Sequence, residues 1–311
     1  MFAFHRSQLR VSSAFIGALL SAFIGVSKDF GITSANAASI SLRDDLDRTV
    51  ELKGPAQRIV TLAPFLTELV YTAGAGERVV GVSAYSDYPP EARKLPQVGT
   101  SAGFDAERIA ALRPDLVLVW QDSFRPEDVD RIARFGAAVF VARARTLDDV
   151  PRLLRAIGRL AGRDVAPATG EFEGKLAKLR RDHASSPKVS AFLEVWNRPL
   201  TTIAGRHFMN EALEICGARN VFGDLDGVAP LVSWEALYAR DPEVIVGASS
   251  AAGEREFRDN WRVRDTLAAV KADRLVFVDA DRIERLTART PDGIAALCAG
   301  IDRVRPASPA R

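Results

Sequence analysis

Short apolar runs alternate with amphipathic stretches along most of the chain. Ser39 to Leu52 alternates loosely around Asp44-Asp45, which predicts a small β-hairpin. Arg58-Ile59-Val60-Thr61-Leu62 is β-branched and apolar, as a buried strand would be. Thr67 is expected to cap a short helix through Thr72, stopped by Gly74 and Gly76. Val79-Val80-Gly81-Val82 predicts the next strand, and Ser86-Asp87-Tyr88-Pro89-Pro90 a rigid loop. Asp105 is expected to cap a helix to Leu112, with Pro114 ending it before a buried strand at Leu116 to Trp120. Helices at Pro126 to Phe135 and Leu147 to Ala161 flank a strand at Ala138 to Val141. This alternation argues for a parallel sheet covered by helices.

Pro167 to Ala184 changes the pattern. It favours helix, but Leu176 and Leu179 are nearly all of its apolar face, so it reads as a strut between two lobes. The strand pattern then restarts at Lys188 to Val195. A helix from His207 to Cys216 closed by Gly217, strands at Val244 to Val246 and Leu275 to Val278, and a last helix from Pro291 to Ile301 follow. The tail from Arg305 is expected to fray. An internal repeat supports two lobes. Glu107-x-Ile109-x-Ala111-x-x-Pro114-Asp115-Leu116 returns as Glu235-x-Leu237-x-Ala239-x-x-Pro242-Glu243-Val244, 128 residues on. The expected fold is α/β, two Rossmann-like lobes joined by one long helix, with a cleft where ligands gather. The expected boundaries are 38–162, a connecting helix at 163–186, 187–304, and a tail at 305–311.

The N-terminus is a separate matter. His5, Arg6 and Arg10 precede an apolar run from Val11 to Val26, and Ala35-Asn36-Ala37 follows. That order reads as a secretory signal peptide over 1–37. The run is shorter than the roughly 20 residues that span a bilayer. Arg6, Arg10 and Lys28 against Asp29 account for the whole net charge of +2, so the rest of the chain is formally neutral. No basic footprint for nucleic acid remains. The 2 cysteines are too few for a disulfide scaffold and form no CxxC pair. In an oxidising compartment Cys216 and Cys298 are expected to pair, with two buried free thiols as the alternative.

Catalytic motifs are missing. There is no H-E-x-x-H and no G-x-S-x-G; Gly170 to Lys175 is one residue short of a P-loop, and Gly74-x-Gly76 sits in the wrong order for a dinucleotide turn. His183 and His207 are far apart, which argues against a metal site, and His207 reads as structural. No catalytic residue and no catalytic cofactor are expected. The aromatics are the remaining lead. Tyr85 and Trp120 stand at the ends of strands, where α/β lobes bind ligands, and aromatic faces suit a large flat amphiphile. Asp281 and Arg285 follow another buried strand, spaced to face a ligand or to pair with each other.

Taken together, Arg58 to Pro64, Thr67-Glu68-Leu69, Val80 to Ser83 and Glu107 to Trp120 resemble the class III solute-binding proteins of ABC importers. Gly81 to Pro90, Leu213 to Gly217, Asp281-x-x-Glu284-Arg285 and Leu297-Cys298 are similar to the cobalamin-binding branch. The resemblance implies the helical-backbone metal-receptor fold and a corrinoid, cobalamin, as transported ligand. It implies that Tyr85 and Trp120 pack on the ligand and that Asp281 and Arg285 lie near it. It further implies that Glu107 and Glu235 dock on the arginines of a membrane permease. Ser101 and about Ala229 stand where the best-known relative of that branch has tryptophans, so Trp196 and the loop Asn197-Arg198-Pro199-Leu200 are expected to supply replacement contacts. The expected protein is a monomeric, soluble periplasmic receptor. Haem or a ferric siderophore is the alternative cargo, with Arg198, Arg206 and Arg285 as anion contacts. An enzyme acting through His207 is the alternative from another class.

Overall fold

The strand pattern folds into two main sheets and two two-stranded ones in the computed structural model, in which residues 39–100 and 103–306 are described. The expected signal peptide lies outside them. The chain opens with a hairpin of β1 (Ile40–Arg43) and β2 (Thr49–Leu52), paired antiparallel. Then come β3 (Ile59–Thr61), α1 (Pro64–Thr72), β4 (Val79–Ser83), β5 (Gln97–Thr100), β6 (Gly103–Phe104), α2 (Ala106–Ala111), β7 (Leu116–Trp120), α3 (Pro126–Ala133), β8 (Ala138–Ala142) and α4 (Asp149–Ala161). The strands form a sheet in the order β6-β5-β4-β3-β7-β8, parallel except for β5–β6. Helix α5 (Ala166–Asp182) follows.

The second half of the chain runs through β9 (Val189–Glu194), β10 (Trp196–Asn197), β11 (Leu200–Thr201), α6 (Phe208–Ile215), β12 (Ala218–Asn220), α7 (Trp234–Arg240) and β13 (Val244–Ser249). It ends with α8 (Glu254–Arg262), α9 (Ala268–Lys271), β14 (Leu275–Asp279), α10 (Ala280–Ile283) and α11 (Thr290–Val304). Its sheet, β12-β9-β13-β14, is wholly parallel. Buried on both faces, its strands need continuous apolar runs such as Val244-Ile245-Val246, and that is what the sequence supplies.

Helix α5 packs against α4 on one side and α11 on the other. It buries only Thr169, Phe172 and Leu176. Phe172 and Leu176 belong to a hydrophobic cluster that contains Leu118 of the first sheet and Val246 of the second. Lys175 pairs with Asp292 of α11 at 3.2 Å. The disulfide Cys216–Cys298 joins the end of α6 to α11. It closes a loop of 82 residues, for which the chain-entropy account gives a stabilisation of about 4.5 kcal/mol as an upper figure.

The sequence repeat is also a repeat of structure. Asp105 caps α2 by accepting from the Arg108 N–H, and Ser233 caps α7 by accepting from the Ala236 N–H. Each helix stops at a left-handed residue before proline, Arg113 (φ 47°) and Asp241 (φ 35°). A helical conformation is disfavoured before proline, so the chain turns out there. The next residue, Asp115 or Glu243, accepts from the backbone N–H at the start of the neighbouring strand, Arg58 or Ser190. β7 then lies between β3 and β8, as β13 lies between β9 and β14.

Two expectations fail here. Thr67 does not cap α1, which begins at Pro64 after Ala63. Its side chain is wholly buried and bonds to Thr61 (2.7 Å) and Ser86 (3.0 Å). Arg305 is not frayed either: its guanidinium donates to the carbonyls of Cys216 and Pro187, tying the end of α11 to the end of α6.

Candidate ligand-binding site

The predicted residues gather at the carboxyl ends of the parallel strands. Tyr85 follows β4, is 76% exposed and has a left-handed backbone (φ 63°). A bulky residue holds that conformation only when its surroundings impose it. Buried hydroxyls do so here. Ser86 bonds to Ser83 (3.2 Å) and Thr67, and Thr67 to Thr61, which anchors the tyrosine turn to β3 and α1. Trp120, the last residue of β7, is half-buried and packs edge-on against Phe65 at 5.9 Å. Its indole N–H is buried without a hydrogen-bond partner among the described residues.

In the second half, Trp196 is 65% exposed and donates its indole N–H to the Arg198 carbonyl. It borders a cavity of about 490 Å³ at the ends of β9 and β13, with Glu194, Ser249 and Phe277 in its wall and Glu256, Phe257 and Asn260 from α8 across it. α8 lies close because β13 carries Gly247, where a Cβ would come within 2.3 Å of the Phe257 ring. Burial pushes the Glu194 carboxyl up; Asn197 and Trp261 pull it back, and the Glu256 charge pushes it further.

Asp281 and Arg285 pair at 2.9 Å, but not only with each other. Arg285 also donates to Asp87 (2.7 Å) and approaches Glu68 (3.3 Å), while Arg289 grips both Glu68 oxygens at 2.8 and 2.7 Å. The Arg289 guanidinium lies 3.9 Å over the Tyr88 ring. Glu68, on α1, and Asp87 belong to the first half of the chain and the arginines to the second, so this cluster joins the two halves. Burial alone would raise the Asp87 carboxyl, but Arg285 outweighs it and holds it low. Burial also works against the Arg285 charge, and its carboxylates more than restore it. Glu284 touches solvent, yet the surrounding protein and the Asp281 charge push it up to about 7, against the pull of Arg285.

Glu107 and Glu235 hold equivalent places, exposed in the first turns of α2 and α7. His207 caps α6, its Nδ1 accepting from the Met209 N–H at 3.2 Å; burial pushes it down to about 4. A neutral, half-buried cap is a structural residue. Ser101 lies outside the described residues, and Ala229 is exposed. Glu68, Asp87 and Arg289 had no predicted role.

A family model described as periplasmic binding protein matches residues 59–282. The chain belongs to the periplasmic binding protein family. It is 31% identical to the vitamin B12-binding protein of Vibrio cholerae over 78% of this chain and 88% of that one. The crystal structure of the periplasmic vitamin B12 binding protein BtuF of Vibrio cholerae superposes with a TM-score of 0.75 at 31% identity, covering 81% of this chain and 99% of that one. A periplasmic heme binding protein from Pseudomonas aeruginosa is similar at TM-score 0.66 and 26% identity, over 78% and 92%. The family is one of binding proteins rather than enzymes. Among the described residues no helix is long and apolar enough to cross a membrane.

Proposed function

We propose that this protein is a periplasmic receptor that captures cobalamin or a related corrinoid and hands it to the permease of an ABC importer. The halves 38–162 and 187–304 act as two lobes about the helix at 163–186, and the mature protein is a soluble monomer. Tyr85 and Trp120 offer aromatic faces from one lobe, Trp196 from the other. Glu107 and Glu235, one per lobe, dock on the permease.

The charge of the inter-half cluster carries the choice of ligand. Arg285 and Arg289 face Glu68, Asp87 and Asp281, so the arginines have no charge left over for an anion. A ferric siderophore or the propionates of haem would need such a surplus. A corrinoid with a neutral, amide-bearing edge does not. The likeness to vitamin B12-binding relatives supports the same reading. Cyanocobalamin added to the purified protein should quench tryptophan fluorescence and saturate in the micromolar range or tighter. Tight binding of haem with none of cyanocobalamin would reverse the choice.

A further inference from the structure

We propose that the cavity at the carboxyl ends of β9 and β13 is a carboxamide subsite, in which Glu194 and Glu256 accept hydrogen bonds from an amide arm on the ligand's edge. This rests on the corrinoid reading and adds how the ligand is told from its analogues. The cavity is about 490 Å³, room for an amide side arm, and Trp196 stands at its border. Glu194 is partly buried and ion-pairs with no cation among the described residues. The hydrogen bond it accepts from the Asn197 amide is a long one, 3.3 Å. Trp261, whose Nε1 has no partner at hydrogen-bond distance among the described residues, lies near enough to ease the charge. A carboxylate drawn out of water in this way is short of N–H donors, and a group that brings them gains a charge-assisted bond.

The Glu256 charge acts on Glu194, and Glu256 forms no ion pair among the described residues, so the cavity holds two acceptors and repels anions. Arg198 also borders it, but from an exposed position. A primary carboxamide presents two N–H donors and no charge. Corrinoids carry several on their edge, whereas haem carries carboxylates. The cavity and the neutralised arginines of Arg285 and Arg289 therefore select in the same direction.

The test compares cyanocobalamin with the monocarboxylic acids made by hydrolysing single peripheral carboxamides, titrated calorimetrically above neutral pH. At least one acid should bind the unaltered protein about tenfold more weakly than the amide, since it sets a carboxylate against a carboxylate. Glu194→Gln or Glu256→Gln should remove most of that penalty; Glu256 is exposed, so its variant keeps the fold even if Glu194→Gln does not. Acids that all bind within about twofold of the amide, or a penalty unchanged in Glu256→Gln and in any folded Glu194→Gln, would overturn the subsite alone. Failure of the unaltered protein to bind cyanocobalamin would overturn the corrinoid reading, and the subsite with it.

Discussion

β7 and β13 are the same strand built twice, and they end differently. Both follow a capped short helix, a left-handed residue, a proline and a carboxylate that holds the next strand. β7 finishes on Trp120, which fills the space above it by packing on Phe65. β13 finishes on Ala248 and Ser249, and the space is left as a cavity walled by α8. The backbone repeat makes the frame, and the strand ends decide the use: an aromatic face from one half, a polar recess from the other. Because the frame is shared, the exposed glutamates of α2 and α7 are equivalent as well.

That equivalence has the largest consequence. Glu107→Ala with Glu235→Ala should abolish uptake in a cell-based transport assay and leave ligand affinity unchanged. A loss of affinity would mean that the two glutamates are not docking residues. The contact between the halves comes next. Glu68→Ala takes from the half-buried Arg289 its carboxylate partner, while Arg285 keeps Asp87 and Asp281, and should lower stability by about 3 kcal/mol in urea unfolding. An unchanged midpoint would show that the cluster adds nothing to the join.

The helices that follow β3 and β11 differ in their caps, and the difference should be visible in acid. α1 begins at Ala63-Pro64 with no titrating cap; α6 begins at His207, held neutral down to about 4. The folded value lies below the ordinary 6.5. The unfolded chain therefore takes up a proton first as pH falls, and stability is lost between about 6.5 and about 4. The loss is about 2 kcal/mol at most after allowing for partial exposure. His207→Asn, whose amide oxygen can replace Nδ1 as the capping acceptor without titrating, should flatten the stability–pH profile in that window. The smallest effect concerns the repeated carboxylates: Asp115→Asn and Glu243→Gln should each cost about 1 kcal/mol, and clearly unequal losses would weaken the equivalence of the two frames.

The sequence made the frame legible because its parts are local. A capping residue, a proline and a run such as Leu116-Val117-Leu118-Val119 act within ten residues of one another, and the disulfide followed from two cysteines in an oxidising compartment. Tyr85, Trp120, Asp281 and Arg285 are candidates legible in the sequence because they stand at or just past the ends of buried strands. What joins the halves was not legible. Arg289 and Glu68 are 221 positions apart, and no local pattern links them. One signal was available: Glu68 is the lone charge in Phe65-Leu66-Thr67-Glu68-Leu69-Val70, and a charge on so apolar a helix implies a buried partner. Thr67 was misread for a related reason, since a threonine near a helix start looks like a cap whether it faces the backbone or a hydroxyl from another strand. The cavity of Glu194 also escaped, because α8, which walls it, was not recognised; Phe257 and Trp261, four apart among charged residues, are its only apolar signal.

The crystal structure of the complex with cyanocobalamin tests the central claim most directly. The account predicts the corrin between the carboxyl ends of the two sheets, on Tyr85 and Trp120, with one amide arm directed at Glu194. A corrin bound elsewhere, or bound there with the Glu194 cavity facing away from every amide, would contradict it.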